Sequence, residues 1–189
     1  MIPADSAYLY LFFMDSAPGL PGYFMGVARA PYANVVAAAL SGDPHALARS
    51  FYKYDAAASV AWSGKGTSDT GSRSTTVNSC RQPPTGPAGG SQVIYYDRAF
   101  DAYLTVYSRG DGIEVRASND LLHWSGRLGP PISEPERKLW FPTLLGETGD
   151  PTIAGGDPRL YFSSFPTDAY PNWKGSVFES TKLSLARGP

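Results

Sequence analysis

Three stretches of this sequence alternate apolar with polar residues, turn, and alternate again. Tyr8-Leu9-Tyr10-Leu11-Phe12-Phe13 is followed by Tyr23-Phe24-Met25-Gly26-Val27-Ala28-Arg29, Tyr103–Ser108 by Gly112–Ser118, and Leu160–Ser164 by Val177–Leu183. Successive side chains of a strand point to opposite faces, so runs of this kind, rich in aromatic and β-branched residues, predict paired strands. In the turn Arg109-Gly110-Asp111-Gly112 the glycines can take positive φ at little cost, which reverses the chain into a hairpin. Two more apolar runs, Gln92–Tyr96 and Leu139–Leu145, precede the second and third hairpins as inner neighbours, and Leu122-His123-Trp124-Ser125 is a candidate fourth, outer strand.

The second and third hairpins begin about 57 residues apart, near the length of a four-stranded blade with its loops. The predicted fold is therefore all-β, a β-propeller with blades of four antiparallel strands and about three blades in this chain. The wider first interval carries a short helical insertion. Ala33–Leu40 reads as a helix, Asp43-Pro44 as an N-cap followed by proline at the first helical position of a short helix through Arg49, and Phe51–Tyr54 as a strand. Residues 63–91, rich in Gly, Ser, Thr and Pro, read as a long loop over one face. The expected organisation is one partial propeller over 1–189: a blade-like part at 7–62, the loop at 63–91, and blades at 92–126 and 139–187. Radial propellers close with roughly four to eight blades, so either the full gene is longer or copies self-associate to complete the ring.

Composition narrows the class further. Gly (20) and Pro (17) serve many turns, and charged residues make up only 17% of the chain. The net charge is −1 and the basic residues are scattered, which argues against nucleic acid as a partner. The longest apolar run, Tyr8–Met14, is far short of the roughly 20 residues that cross a bilayer, so no membrane span is expected. The N-terminus lacks the basic start, apolar stretch and cleavage site of a secretory signal. Cys80 is alone and there are two histidines, so neither an internal disulfide nor a metal site is expected. No cofactor is expected either: Gly64-Lys65-Gly66-Thr67 has neither the spacing nor the following helix of a phosphate loop.

Ser118-Asn119-Asp120-Leu121-Leu122-His123-Trp124-Ser125 resembles the S-x-D-L-x-x-W blade signature of five-bladed glycoside hydrolase propellers of the arabinanase, β-xylosidase and levanase type. Phe141-Pro142-Thr143-Leu144-Leu145-Gly146 followed by Arg159-Leu160-Tyr161-Phe162 is similar to the P-T-L-hydrophobic-G and L-Y-F runs of propellers related to them. The resemblance covers much of 92–187 and, more loosely, 7–62. It implies a secreted protein that cleaves glycosidic bonds at a central funnel, where carboxyl groups from different blades act as acid and as base or nucleophile. The Asp-Pro segment that leads the first inner strand in those families has no match here.

Acidic residues near the ends of inner strands are the candidate acid–base groups: Asp97, Glu134 and Glu147, with Asp150 a candidate substrate contact. For each, the competing reading is a solvated turn carboxylate. Glu114 alternates with Ile113 and Val115 and so points away from the apolar face, toward either solvent or a neighbouring blade. Trp62 and Trp140 are candidate stacking surfaces for a sugar ring, against core packing, and Trp124 reads as packing. Arg73, in Gly71-Ser72-Arg73-Ser74-Thr75, is a candidate ligand for a carboxylate or hydroxyl. A serine hydrolase triad is not expected, because the Gly-x-Ser-x-Gly elbow is missing and only His45, in a short surface helix, and His123, inside the blade signature, could serve as base. Two functions follow as expectations: a glycosidase acting on polysaccharide or oligosaccharide, or a blade module that binds carbohydrate or another partner without catalysis.

Overall fold

The computed structural model describes residues 7–15, 24–54, 62–65, 92–98, 100–109, 112–122, 124–146, 153–154, 158–169 and 174–185. The chain divides into two compact units, Met1–Pro84 and Thr85–Pro189. Among the described residues the fold is mostly β, with three antiparallel sheets and two short α-helices.

In the first unit, β1 (Tyr8–Asp15) and β2 (Phe24–Pro31) form the first predicted hairpin, with Tyr8 opposite Pro31 and Asp15 opposite Phe24. The chain passes straight from β2 into α1 (Tyr32–Ser41), which ends at Gly42 with φ 70°, a left-handed cap that glycine adopts without strain. The helix α2 (Pro44–Ser50) then starts as its sequence dictates. Asp43 accepts a hydrogen bond from the His45 N–H at 2.8 Å, Pro44 occupies the first turn, and Arg49 reaches back to the Asp43 carboxylate at 2.7 Å. Two short strands, β3 (Tyr52–Tyr54) and β4 (Trp62–Lys65), complete a sheet of order β1-β2-β3-β4. The start of the predicted loop at 63–91 is thus corrected: residues 63–65 belong to a strand, because pairing with β3 supplies their backbone with partners. Residues 66–91 lie outside the described residues.

In the second unit, β5 (Gln92–Asp97), β6 (Ala102–Arg109) and β7 (Gly112–Ser118) make one meander, and β8 (Arg137–Leu145), β9 (Arg159–Pro166) and β10 (Val177–Lys182) make another. Tyr95, Leu104, Val106, Ile113 and Val115 of the first sheet share one buried cluster with Leu139, Leu144, Leu160 and Phe162 of the second. Each large side chain removed from water in this way contributes roughly 1.5–3 kcal/mol.

The residues that carry the family resemblance have structural work in this unit. Ser118 Oγ accepts from the N–H groups of Asp120 and Leu121, and Asp120 Oδ1 accepts from Leu122 N–H. These bonds bend the chain sharply and bury Leu121 and Trp124. Of the outer strand predicted at Leu122–Ser125, the described residues Leu122, Trp124 and Ser125 are not in a strand, since a chain turning through Leu121 at φ 66° cannot run straight beside β7. The segment after it covers that edge instead. Ser125 N–H donates to Ala117 O (2.8 Å), Leu128 N–H to Val115 O (2.9 Å), and Ile113 and Ile132 exchange two backbone bonds of 2.8 and 3.0 Å. Gly112 makes room for this approach: a Cβ there would lie 2.2 Å from the Ile132 carbonyl oxygen.

In β8, Pro142 has no N–H for the ladder, and the register shifts between Trp140 and Thr143, with Phe141 at φ 54°. Beyond this bulge, the Tyr95 hydroxyl accepts from the buried Leu144 N–H at 2.7 Å and shares a 2.7 Å bond with Thr143 Oγ1, which ties the two sheets together. The sheets also meet where Tyr96 pairs with Ile153 and its carbonyl accepts from Ala154 N–H at 3.1 Å. Gly146 allows residues 153–154 to pass, because a Cβ there would fall 2.3 Å from the carbonyl oxygens of both Ile153 and Ala154.

Candidate functional site

Two of the acidic candidates, Asp97 and Glu134, lie among the described residues. Asp97, at the end of β5, is fully buried and its Oδ1 accepts from the Phe100 N–H at 3.3 Å, which shapes the turn into β6. Beside it, the Tyr96 hydroxyl donates a short hydrogen bond to Asp101, and that bond, with some burial, holds the Tyr96 phenol above its usual range. Glu134 sits in the turn before β8, where its Oε2 accepts from Ser164 Oγ at 2.8 Å and faces Arg137 Nε at 3.4 Å. Arg137 in turn donates to Ser164 Oγ and, at 2.8 Å, to the Ser164 carbonyl. This network joins the entry of β8 to β9. Glu147, Asp150 and Arg73 lie outside the described residues.

Glu114 resolves the alternative left by its alternation. It does point away from Ile113 and Val115, yet only 1% of its surface is exposed. Its Oε2 accepts from the Tyr107 hydroxyl at 2.5 Å, and the guanidiniums of Arg116 and Arg127 stand 3.4 and 3.6 Å away. Burial, and then the bond to Glu114, push the Tyr107 phenol far up. A carboxylate this deep is tolerable because two cations and a hydroxyl replace its water, and the Arg127 contact ties the segment that covers β7 back to the sheet.

The tryptophans differ in their settings. Trp140 packs edge-on against Phe165, centroids 5.8 Å apart, and against Phe141 at 5.9 Å. Trp62 lies at the centre of an aromatic group on one face of the first unit's sheet. The β1–β2 register sets Tyr10 opposite Arg29, and the β3–β4 register sets Tyr54 opposite Trp62. The Trp62 ring meets Tyr10 edge-on at 6.1 Å and Tyr54 at 5.1 Å and 60°. The Arg29 guanidinium lies over it, with Cζ 4.2 Å from the ring centroid and 4.3 Å from that of Tyr8. All five side chains are half-buried.

Sequence reasoning singled out Trp62 but missed Tyr8, Tyr10, Arg29 and Tyr54. The signal was available in the hairpin register, since Tyr8, Tyr10 and Arg29 fall on one face as soon as β1 is paired with β2.

In the second unit, a half-open groove of about 440 Å³ is lined by Phe100, Leu104, Val115, Leu128, Leu183 and Leu185 among others. Ser184 is the polar side chain among the residues that line it. Among the described residues no three His, Cys, Asp or Glu side chains gather to hold a metal ion, and no helix is long and apolar enough to cross a membrane. The chain matches no protein-family model and no curated protein.

Proposed function

We propose that this chain is a run of propeller blades that binds carbohydrate without cleaving it. The three sheets are taken as successive blades, the first with four strands, and the second with the hydrogen-bonded segment 125–132 in the place of its outer strand. The observation that carries the reading is the gathering of Tyr8, Tyr10, Tyr54 and Trp62 on one sheet face. Flat aromatic surfaces receive the C–H faces of pyranose rings, and their hydroxyl and indole groups offer polar contacts at the rim. Asp97 is fully buried, with its Oδ1 held by the Phe100 N–H, which accords with binding rather than bond cleavage.

The test is titration calorimetry of the whole chain against a panel of soluble plant and microbial oligosaccharides. A Trp62→Ala variant shown by circular dichroism to be folded should lose about tenfold or more in affinity, given the size of an aromatic stacking contribution. Wild-type protein that binds no glycan would refute the proposal.

Glycoside hydrolysis is the second reading, favoured by Glu134. Its carboxylate keeps 29% side-chain exposure while Ser164 and Arg137 fix its direction, as a reacting carboxylate requires. Sugar release that is lost in Glu134→Gln or Asp97→Asn would establish it in place of the first.

A further inference from the structure

Several arginines of this chain face carboxylates. Arg49 meets Asp43 at 2.7 Å, Arg116 and Arg127 meet Glu114 at 3.4 and 3.6 Å, and Arg137 meets Glu134 at 3.4 Å. Arg29 is placed differently. Its contacts are the rings of Tyr8 and Trp62, and no carboxylate among the described residues stands within ion-pair distance of it.

Contact through the π-face has a geometric consequence. A guanidinium lying over a ring uses its own flat face for that contact, while its five N–H donors radiate in the guanidinium plane. Ring contacts satisfy the charge in part and leave the donors unused. They also hold the long side chain in one place, so less rotamer freedom is lost when those donors bind something else. The sheet reinforces this, because Arg29 is on β2, an inner strand of the order β1-β2-β3-β4, between the strands that carry Tyr8 and Trp62.

We propose that Arg29 is the anion-recognising group of the aromatic face, and that the saccharide bound there is acidic, with a uronic acid carboxylate paired to the guanidinium fork; this rests on the reading of that face as a saccharide surface. The planar fork matches a carboxylate in two parallel hydrogen bonds, and such a charge-assisted pair is stronger than any bond a neutral sugar hydroxyl can offer. Tyr10, Tyr54 and Trp62 supply the apolar surface for the ring carrying the acid, or for its neighbour in the chain. With a net charge of −1 on the whole protein, no general field draws in polyanions. Among the described side chains of this face, selection falls to Arg29.

The experiment compares three ligands on the whole chain by calorimetry: a galacturonic acid hexamer, its fully methyl-esterified form, and a galactose hexamer. The acid should bind about 10- to 100-fold more tightly than either neutral form, the range of a charge-assisted bond. Its advantage should shrink as salt rises from about 0.02 to 0.5 M, as expected of a partly exposed pair. Arg29→Gln should bring the acid down to the level of the neutral ligands, and Arg29→Lys should restore part of the preference. The esterified ligand tests the wild-type protein directly, so a variant that fails to fold leaves the proposal open to refutation. Equal affinity for acid and ester, or an equal loss for all three ligands in Arg29→Gln, would overturn the role of Arg29 and leave the saccharide surface standing. No binding of any of the three, followed by no binding across the wider glycan panel, would overturn both.

Discussion

Replacing Tyr95 by Phe removes a single oxygen from the join between the two sheets of the second unit. The ring is 3% exposed and stays in place, so no cavity opens and the hydrophobic contribution is unchanged. What is lost is the acceptor for the Leu144 N–H, on a residue with no exposure, and the partner of Thr143 Oγ1. An orphaned buried N–H costs about 1–3 kcal/mol, and the second bond about 0.5–1.5 kcal/mol, so a loss of about 2–4 kcal/mol is expected. In a unit of this size that lowers Tm by on the order of 10–20 °C. Urea unfolding followed by tryptophan fluorescence should show an earlier midpoint at an unchanged slope. Tyr161→Phe is the control, because the Tyr161 ring stacks on Phe178 and its hydroxyl makes no hydrogen bond among the described residues; it should fall within about 0.5 kcal/mol of wild type. A Tyr95→Phe effect as small as the control's would refute the reasoning.

Three further outcomes are expected. Gly112→Ala, which sets a methyl 2.2 Å from the Ile132 carbonyl oxygen, should break the Ile113–Ile132 pairing and cost about 2 kcal/mol or more, with faster amide exchange at both residues; Gly42→Ala, with open space around it, should cost only about 1 kcal/mol. Glu114→Ala should destabilise by about 3 kcal/mol or more, since it leaves Tyr107 and two guanidiniums without their carboxylate, and chemical unfolding measures it. The stability that Tyr107 and Tyr95 contribute should be steady from pH 8 to about 10 and fall as pH rises beyond it, because the folded protein holds their phenol protons more tightly than the unfolded chain does. Thermal melts from pH 8 to 11.5 test this, and Tyr107→Phe should flatten the decline.

The strands were legible where alternation and turn chemistry agreed. All three hairpins and the helix opening at Asp43-Pro44 are where the residue pattern sets them, and the inner strands read at Gln92–Tyr96 and Leu139–Leu145 are present, with β5 running on to Asp97 and β8 beginning two residues earlier at Arg137. β4 was not, because four residues running into a Gly- and Ser-rich stretch have too short a period to register, and the strand exists through its pairing with β3. The edge of β7 misled for another reason: Leu122–Ser125 has strand-like residues, but the bonds from Ser118 and Asp120 oblige the chain to bend first. The candidate site was partly legible. Trp62 reads as a flat aromatic surface on which a sugar ring could stack, while Arg29 is ordinary in the sequence and acquires its setting from rings brought to it by two different strands. Likewise, alternation gave the direction of Glu114 and could not give its burial, which depends on Arg116, Tyr107 and the distant Arg127.

The meander wiring also bears on the order in which the molecule folds. In the second unit each ladder joins strands adjacent in sequence, so both sheets can close over connections of 13 residues or fewer at modest entropic cost. The Tyr95 bonds to Thr143 and Leu144 span 48 and 49 residues. Hairpins can thus form early and independently, and the docking of one finished sheet on the other comes late. In stopped-flow kinetics Tyr95→Phe should then speed unfolding and leave the folding rate nearly unchanged, whereas Gly112→Ala, at a local turn, should slow folding itself.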